Sequence, residues 1–424
     1  MLIVYSLALL LVLVVGAPWW LFRMATSGKY REGLAERLGR VPARIRDGVR
    51  GQPVVWVHAV SVGEMLAASR LIEELTQRLS QCEPGWRVVV STTTRTGQRL
   101  ARERFGADRV FYFPLDFAFA VRAWLRALRP RLLVVAETEF WPRMLVECRR
   151  SEVLVAVVNA RISDRSWPRY RRLARLWRHL LGGLAAALAQ TELDAERLRA
   201  LGTGNVQVGG NLKFDVRVAR AAAVTERLRE RLPAGARVLV CGSTLAGEEE
   251  MLLDAAPQDV VTVLAPRHPE RFEAVAQLLR RRGARWVRRS EWMEHPARIE
   301  PGSVFLLDSV GELASVYSLA QVAFVGGSLV AAGGHNPLEP AQFGVPVLMG
   351  ESYQNFRAIV ETLRAENAIR IVRPHALRSA LAEMFADRAA AQAMGERGRA
   401  VFEREAGATT RAMEAILEIL AVRA

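Results

Sequence analysis

Val325-Gly326-Gly327-Ser328-Leu329-Val330-Ala331-Ala332-Gly333-Gly334-His335-Asn336-Pro337-Leu338-Glu339-Pro340 spells a strand end, a glycine-rich loop and a helix start in one short run. The apolar residues ending at Val325 read as a buried strand. Asn336 can cap a helix whose first position Pro337 fills. Such a start leaves backbone N–H groups beside the positive end of a helix dipole, where a phosphate binds. Glu339 falls one turn in, where a carboxylate can take two hydroxyls of a ribose. The combination points to a nucleotide-activated substrate; a glycine-rich turn without a ligand has the same spelling.

Working outward, apolar runs alternate with amphipathic stretches on both sides. Val54–Val57, Arg87–Val90, Arg131–Ala136 and Val153–Val158 read as strands in the first half, with helices over Glu64–Leu79 and Thr96–Phe105. The pattern restarts with Val238–Val240, Val261–Leu264, Val322–Val325 and Val345–Leu348. Strands without polar alternation, separated by helices, argue a parallel sheet covered on both faces. The junction falls near 210–225, before an Arg/Ala-rich helix expected from about Val216. Two doubly wound α/β domains facing a cleft are the economical architecture. A helical stretch from about Gly395 is expected to pack back across the junction.

A chain of 424 residues, 51% hydrophobic, suits two domains of roughly 150–200 residues. The cysteines Cys82, Cys148 and Cys241 form no C-x-x-C pair, which argues a reducing compartment. No H-x-x-x-H or D-x-D occurs, so a structural zinc or a metal-bound diphosphate is disfavoured. The net charge of +15 is scattered and lacks interleaved aromatics. That excludes a nucleic-acid face and fits an anionic membrane surface or substrate.

Residues 2–22 hold no charged residue and are long enough for a hydrocarbon core of about 30 Å. Pro18-Trp19-Trp20 resembles an interfacial aromatic belt. Eight basic residues against three acidic ones follow between Arg23 and Arg50, which leaves the bulk of the chain in the cytoplasm. A membrane anchor over 1–22, spanning or lying at the surface, is therefore expected.

Further segments sit where ligands bind in such folds, at the carboxyl ends of strands. In His58-Ala59-Val60-Ser61-Val62-Gly63-Glu64, Glu64 either complements a helix dipole or takes a proton from an acceptor hydroxyl. In Glu137-Thr138-Glu139-Phe140-Trp141-Pro142, paired acids can hold a sugar or support positive charge, or cap the helix starting near Pro142. Lys213 is one of only two lysines, with Lys29, in a chain that otherwise uses arginine, and it lies in Gly209–Asp215 at the junction. Pro266-Arg267-His268-Pro269 ends another strand, and its arginine can fork two phosphate oxygens. Ser243-Thr244 and Asp308–Glu312 end further strands of that half.

Taken together, His58–Glu64, Ser91–Thr94, Glu137–Pro142, Asn159-Ala160-Arg161, Gly209–Asp215, Pro266–Pro269, Gly311-Glu312-Leu313 and Gly326–Glu339 resemble the motifs of the Kdo (3-deoxy-D-manno-octulosonic acid) transferases of lipopolysaccharide synthesis. The resemblance implies a GT-B glycosyltransferase fold of two Rossmann-like domains plus an N-terminal anchor helix: 1–22 membrane anchor, 23–215 acceptor-binding, 216–424 donor-binding. It implies a CMP-Kdo donor, a lipid A precursor (lipid IVA) as acceptor, inversion at the anomeric carbon, no metal and no cofactor. Glu64 then stands for the catalytic base. Glu137 and Lys213 stand for transition-state stabilisers, with Glu139 competing for the place of Glu137. Pro266, Arg267, Val310, Gly311, Glu312, Asn336, Pro337, Leu338 and Glu339 stand for the CMP site. Phe140 replaces the leucine of the motif, and Ser309-Val310 is a further departure. The implied place is the bacterial inner membrane, with the catalytic domains on its cytoplasmic side. Two rival readings are another GT-B transferase using a UDP-sugar on a lipid acceptor, and a non-catalytic, membrane-anchored binding protein.

Overall fold

The computed structural model of the protein describes residues 2–27, 31–82, 85–218 and 222–421. The chain divides into two compact units, Met1–Val216 with Ala406–Ala424, and Arg217–Glu405. The last helix therefore belongs with the first unit, where the sequence had placed 216–424 together.

The first unit holds seven strands: β1 (Val54–His58), β2 (Arg87–Thr92), β3 (Val110–Tyr112), β4 (Pro130–Ala136), β5 (Leu154–Ala160), β6 (Ala186–Ala189) and β7 (Val206–Val208). The second holds β8 (Val238–Thr244), β9 (Val261–Pro266), β10 (Trp286–Arg288), β11 (Val304–Leu306), β12 (Val322–Val325), β13 (Val347–Gly350) and β14 (Ile369–Val372). Their orders are β3-β2-β1-β4-β5-β6-β7 and β10-β11-β9-β8-β12-β13-β14, and the pairings are parallel. All residues of β1 and β8 are buried, as expected of strands with helices on both faces.

In each sheet the chain reverses its direction of travel once, at β1/β4 in the first unit and at β8/β12 in the second. Such a switch point opens a crevice at the carboxyl ends of the two strands. Here those ends carry Glu64 and Glu137 in the first unit, and Ser243-Thr244 and the glycine loop in the second. Close approach is needed at the second switch: a Cβ on Gly326 would lie 2.4 Å from the Ser243 carbonyl oxygen.

The expected helices form over Val62–Ser80, Arg95–Phe105 and Pro142–Arg150. The Arg/Ala-rich helix begins at Ala223, because Leu212–Asp215 is a 3-10 turn and Val216 is extended. The final helix, Ala408–Ala421, buries Ala412, Ile416 and Leu420 in the core that also takes Leu71 and Leu75 of Val62–Ser80. Buried Asp215 holds it there by accepting the N–H groups of Gly407 and Thr409.

The N-terminal apolar segment is a helix, Leu2–Ser27, with Pro18 inside it. The expected full span is not met: among the described residues no helix is long and apolar enough to cross a membrane. Polar groups tie its first turns to the first unit. The Tyr5 hydroxyl donates to Asp116 (2.9 Å), and Arg143 donates to the Ser6 hydroxyl (2.8 Å).

Candidate active site

Glu64 stands in the first turn of the helix after β1. Ser61 caps that helix by accepting the Glu64 N–H (3.3 Å), and its hydroxyl donates to Glu64 Oε1 (2.8 Å). Val60 N–H donates to Oε2 (2.8 Å). The capping role is thus realised in full. Each carboxylate oxygen carries one such bond, which leaves it room to accept another.

Glu137 follows β4 with φ at 59°, in the left-handed region, a strain that surrounding contacts must hold. They do: its N–H donates to Val158 O (2.9 Å), and the Thr138 hydroxyl bonds the backbone of Arg161. Neither Glu137 nor Glu139 caps the helix at Pro142. Asp116 does, accepting the N–H groups of Arg143 (2.9 Å) and Met144 (2.8 Å). Both acids of the pair are therefore left for another task. Burial pushes the Glu137 carboxyl up, Lys213 pulls it down and Glu64 pushes it up. Glu139 is raised by burial and then by Glu64 and Glu137. Three carboxylates in one field cannot all ionise freely.

Lys213 comes from the turn after β7, with Nζ 4.0 Å from Glu137 Oε1. Buried Asn159, at φ 57°, accepts the Leu212 N–H (3.1 Å), and Asn211 accepts that of Lys213 (3.0 Å). These amides aim the lysine turn. Asp116 and Asn159 were missed as roles because their partners lie 27 and 53 residues away in sequence. Asn159 stood among the motifs of the resemblance without a role, and its polar side chain at the end of an apolar strand was a further signal.

The second unit corrects the opening reading of its glycine loop. The N–H groups of Gly327 (2.7 Å), Ser328 (2.9 Å) and Leu329 (2.9 Å) donate to buried Glu248. Those of Gly333, Gly334 and His335 bond Ser352 and the loop's own carbonyls. Asn336 accepts the Leu338 N–H (3.1 Å), but the cap position is taken by Pro337, which precedes a helix of only Leu338–Ala341. The loop is a tied scaffold, and the amides at 327–329, 333–335 and 338 are engaged.

Neighbouring strand ends of the same sheet present side chains. Exposed Arg267 follows Pro266 at the end of β9 and acts electrostatically on both His335 and Glu339. Val310 is 77% exposed beside Gly311, whose φ of 91° favours glycine. Glu312 is already paired, with Arg289 at 2.7 Å and with the Ser309 hydroxyl. Arg271 likewise forks Glu249 (2.6 and 3.1 Å), leaving Arg267 as the arginine of that strand end turned to solvent.

Residues 32–216 match the family model described as 3-deoxy-D-manno-octulosonic-acid transferase (Kdotransferase). The Haemophilus influenzae 3-deoxy-D-manno-octulosonic acid transferase is 32% identical over 401 residues, covering 92% of this chain and 91% of that protein. The Bordetella pertussis enzyme of the same description is 34% identical over 419 residues, 94% of each. The chain belongs to the Kdo transferase family.

As a Kdo transferase it is a glycosyltransferase. Its solved likenesses include the Neisseria meningitidis UDP-GlcNAc 2-epimerase at 14% identity, TM-score 0.57, covering 88% of this chain and 100% of that one. The glycosyltransferase of kitacinnamycin is also 14% identical, with TM-score 0.51, covering 87% and 99%. These speak to the fold alone, two doubly wound α/β units of the GT-B kind. Within the first unit of this Kdo transferase, Glu64, Glu137, Glu139 and Lys213 share one electrostatic neighbourhood. Within the second, Arg267, Asn336 and Glu339 do. Phe140, the departure from the motif, packs on Tyr170 and Trp177 at 6.2 and 5.9 Å and leaves both neighbouring acids in place.

Burial raises the Glu339 carboxyl from 4.5 to about 7, against the lowering pull of Arg267 and Asn336. Between those values the folded protein binds a proton that the unfolded chain does not, so stability falls as pH rises through that window. Glu339→Gln removes that proton. The melting temperature of the variant relative to the native protein should rise steadily from pH 4.5 to 7; a difference independent of pH would contradict the assignment.

Proposed function

We propose that this Kdo transferase moves Kdo from CMP-Kdo to a lipid A precursor with inversion, and that Glu64 is the general base. The observation that carries the reading is the gathering of Glu64, Glu137, Glu139 and Lys213 at the switch point of one sheet. Glu64 takes the proton of the acceptor hydroxyl as its oxygen attacks the anomeric carbon. The bond from that carbon to the phosphate breaks, and CMP leaves with the electron pair. Glu137 faces the oxocarbenium character that develops on the sugar; Lys213 draws the Glu137 carboxyl down against its burial and supplies positive charge beside it. Arg267 takes the CMP phosphate and Glu339 the ribose, while Pro266, Val310, Gly311, Glu312, Pro337 and Leu338 shape that pocket. Asn336 orders the turn rather than offering free amides.

The anionic acceptor resides in a bilayer, and the first unit has the surface for one. Leu7, Leu11, Val12, Val15, Trp19 and Phe22 of the N-terminal helix are more than half exposed. A contiguous apolar face of that kind marks a membrane or partner surface. We place this helix in the interface of the inner membrane, on the cytoplasmic side, with the positive charge of the chain drawing the protein to anionic lipid. Donor choice is tested by product inhibition of Kdo transfer. CMP should inhibit and UDP should not; inhibition by UDP alone would favour the UDP-sugar reading. The anomeric configuration of the product, read by NMR, should be opposite to that of the donor.

A further inference from the structure

Glu248 meets no substrate in the reading above, yet it is fully buried and its carboxylate accepts four backbone N–H groups. Leu245 and Gly327 donate to Oε2 at 2.8 and 2.7 Å; Ser328 and Leu329 donate to Oε1 at 2.9 Å each. Successive amides turned inward around one anion form the kind of nest that elsewhere receives a ligand's phosphate. Here the protein fills the nest with its own side chain, from the first turn of the helix Glu248–Ala255, where the helix dipole also favours a carboxylate.

The same turn reaches the other half of the nucleotide site. Thr244, at the end of β8, accepts the Arg267 N–H through its carbonyl (3.0 Å). Ser243 beside it is held at φ 56°, a strained conformation at a strand irregularity. Residues 243–248 thus carry the Arg267 loop on one side and, through Glu248, the glycine loop on the other. The glycine loop leads directly into Asn336 and Glu339.

Resting on the CMP-Kdo reading above, we propose that Glu248 is the positioning residue of the nucleotide site: it locks the glycine loop to the β8 turn and so sets Asn336–Glu339 in register with Arg267. Bonds from amides to a charged acceptor are about twice as strong as neutral ones, and removal leaves buried donors unsatisfied. A glutamine in this place would turn an NH2 group toward N–H donors. Glu250, exposed in the same helical turn, provides the charge control.

The test is calorimetric titration of the full-length protein with CMP. Glu250→Gln should bind as the native protein does, whereas Glu248→Gln should weaken binding about tenfold or more, equivalent to about 1.4 kcal/mol or more. Glu248→Ala should be weakened likewise and be restored by sodium formate, whose carboxylate can re-enter the nest, but not by sodium chloride. If Glu248→Ala folds only in formate and then binds CMP, the nest is confirmed. Native-like CMP affinity in Glu248→Gln, or an alanine variant indifferent to formate, would overturn the proposal. If the native protein binds UDP and not CMP, the donor reading has failed; the same variants titrated with UDP then judge Glu248 separately.

Discussion

Glu64→Ala should lower kcat by about 100- to 10,000-fold, the usual contribution of a positioned general base. The structure also makes Glu64 a cap, so the competing effect has to be weighed. Loss of a helix cap costs about 0.5–2 kcal/mol of stability. That lowers the melting temperature by several degrees at most and leaves the folded enzyme as active as before. The two roles therefore separate by measuring both quantities on the same sample. A variant that melts lower but turns over at the native rate per folded molecule would reduce Glu64 to its cap. There is a second signature. Because Glu64 raises Glu137 and Glu139, removing it should let both acids ionise at lower pH.

Lys213→Met should cost about 100- to 1,000-fold in kcat, the scale on which a preorganised charge at a developing ion is worth having. Its proximity to Glu137 gives this variant a diagnostic that a structural role would not produce. Lys213 pulls the Glu137 carboxyl down against burial and Glu64. Without it, Glu137 protonates at higher pH, so the acid limb of the pH–rate profile should move upward. An acid limb unmoved in the variant would mean that Glu137 ionisation does not govern the rate.

The central strands of both sheets were legible because buried parallel strands write themselves as unbroken apolar runs, whereas the short strands β3, β6, β7, β10 and β14 went unread. Val54–Val57 and Val322–Val325 were read to within a residue of β1 and β12. The acids at 64, 137 and 139 were legible for a related reason: the pair at 137 and 139 follows such a run directly and Glu64 opens the helix just after one, and a strand end is a local feature. What was not legible depends on residues far apart in sequence. The glycine loop looked like a phosphate cradle because nothing near it showed that Glu248, 79 to 81 positions earlier, would occupy its amides. Glu137 looked like a plausible cap for the Pro142 helix because Asp116, which does the capping, lies on another loop. Residues 1–22 were likewise read as a membrane anchor, with nothing nearby to show that Tyr5 and Ser6 bind the 26-residue N-terminal helix to Asp116 and Arg143. In each case the local pattern was right about the element and silent about its partner.

The most direct measurement is mass spectrometry of a lipid A precursor incubated with the purified enzyme and CMP-Kdo, with the Glu64→Ala variant alongside. The account predicts a lipid heavier by one or more Kdo residues, formed as CMP is released, and almost none with the variant. An unmodified lipid with CMP-Kdo, or equal product from the variant, would contradict it.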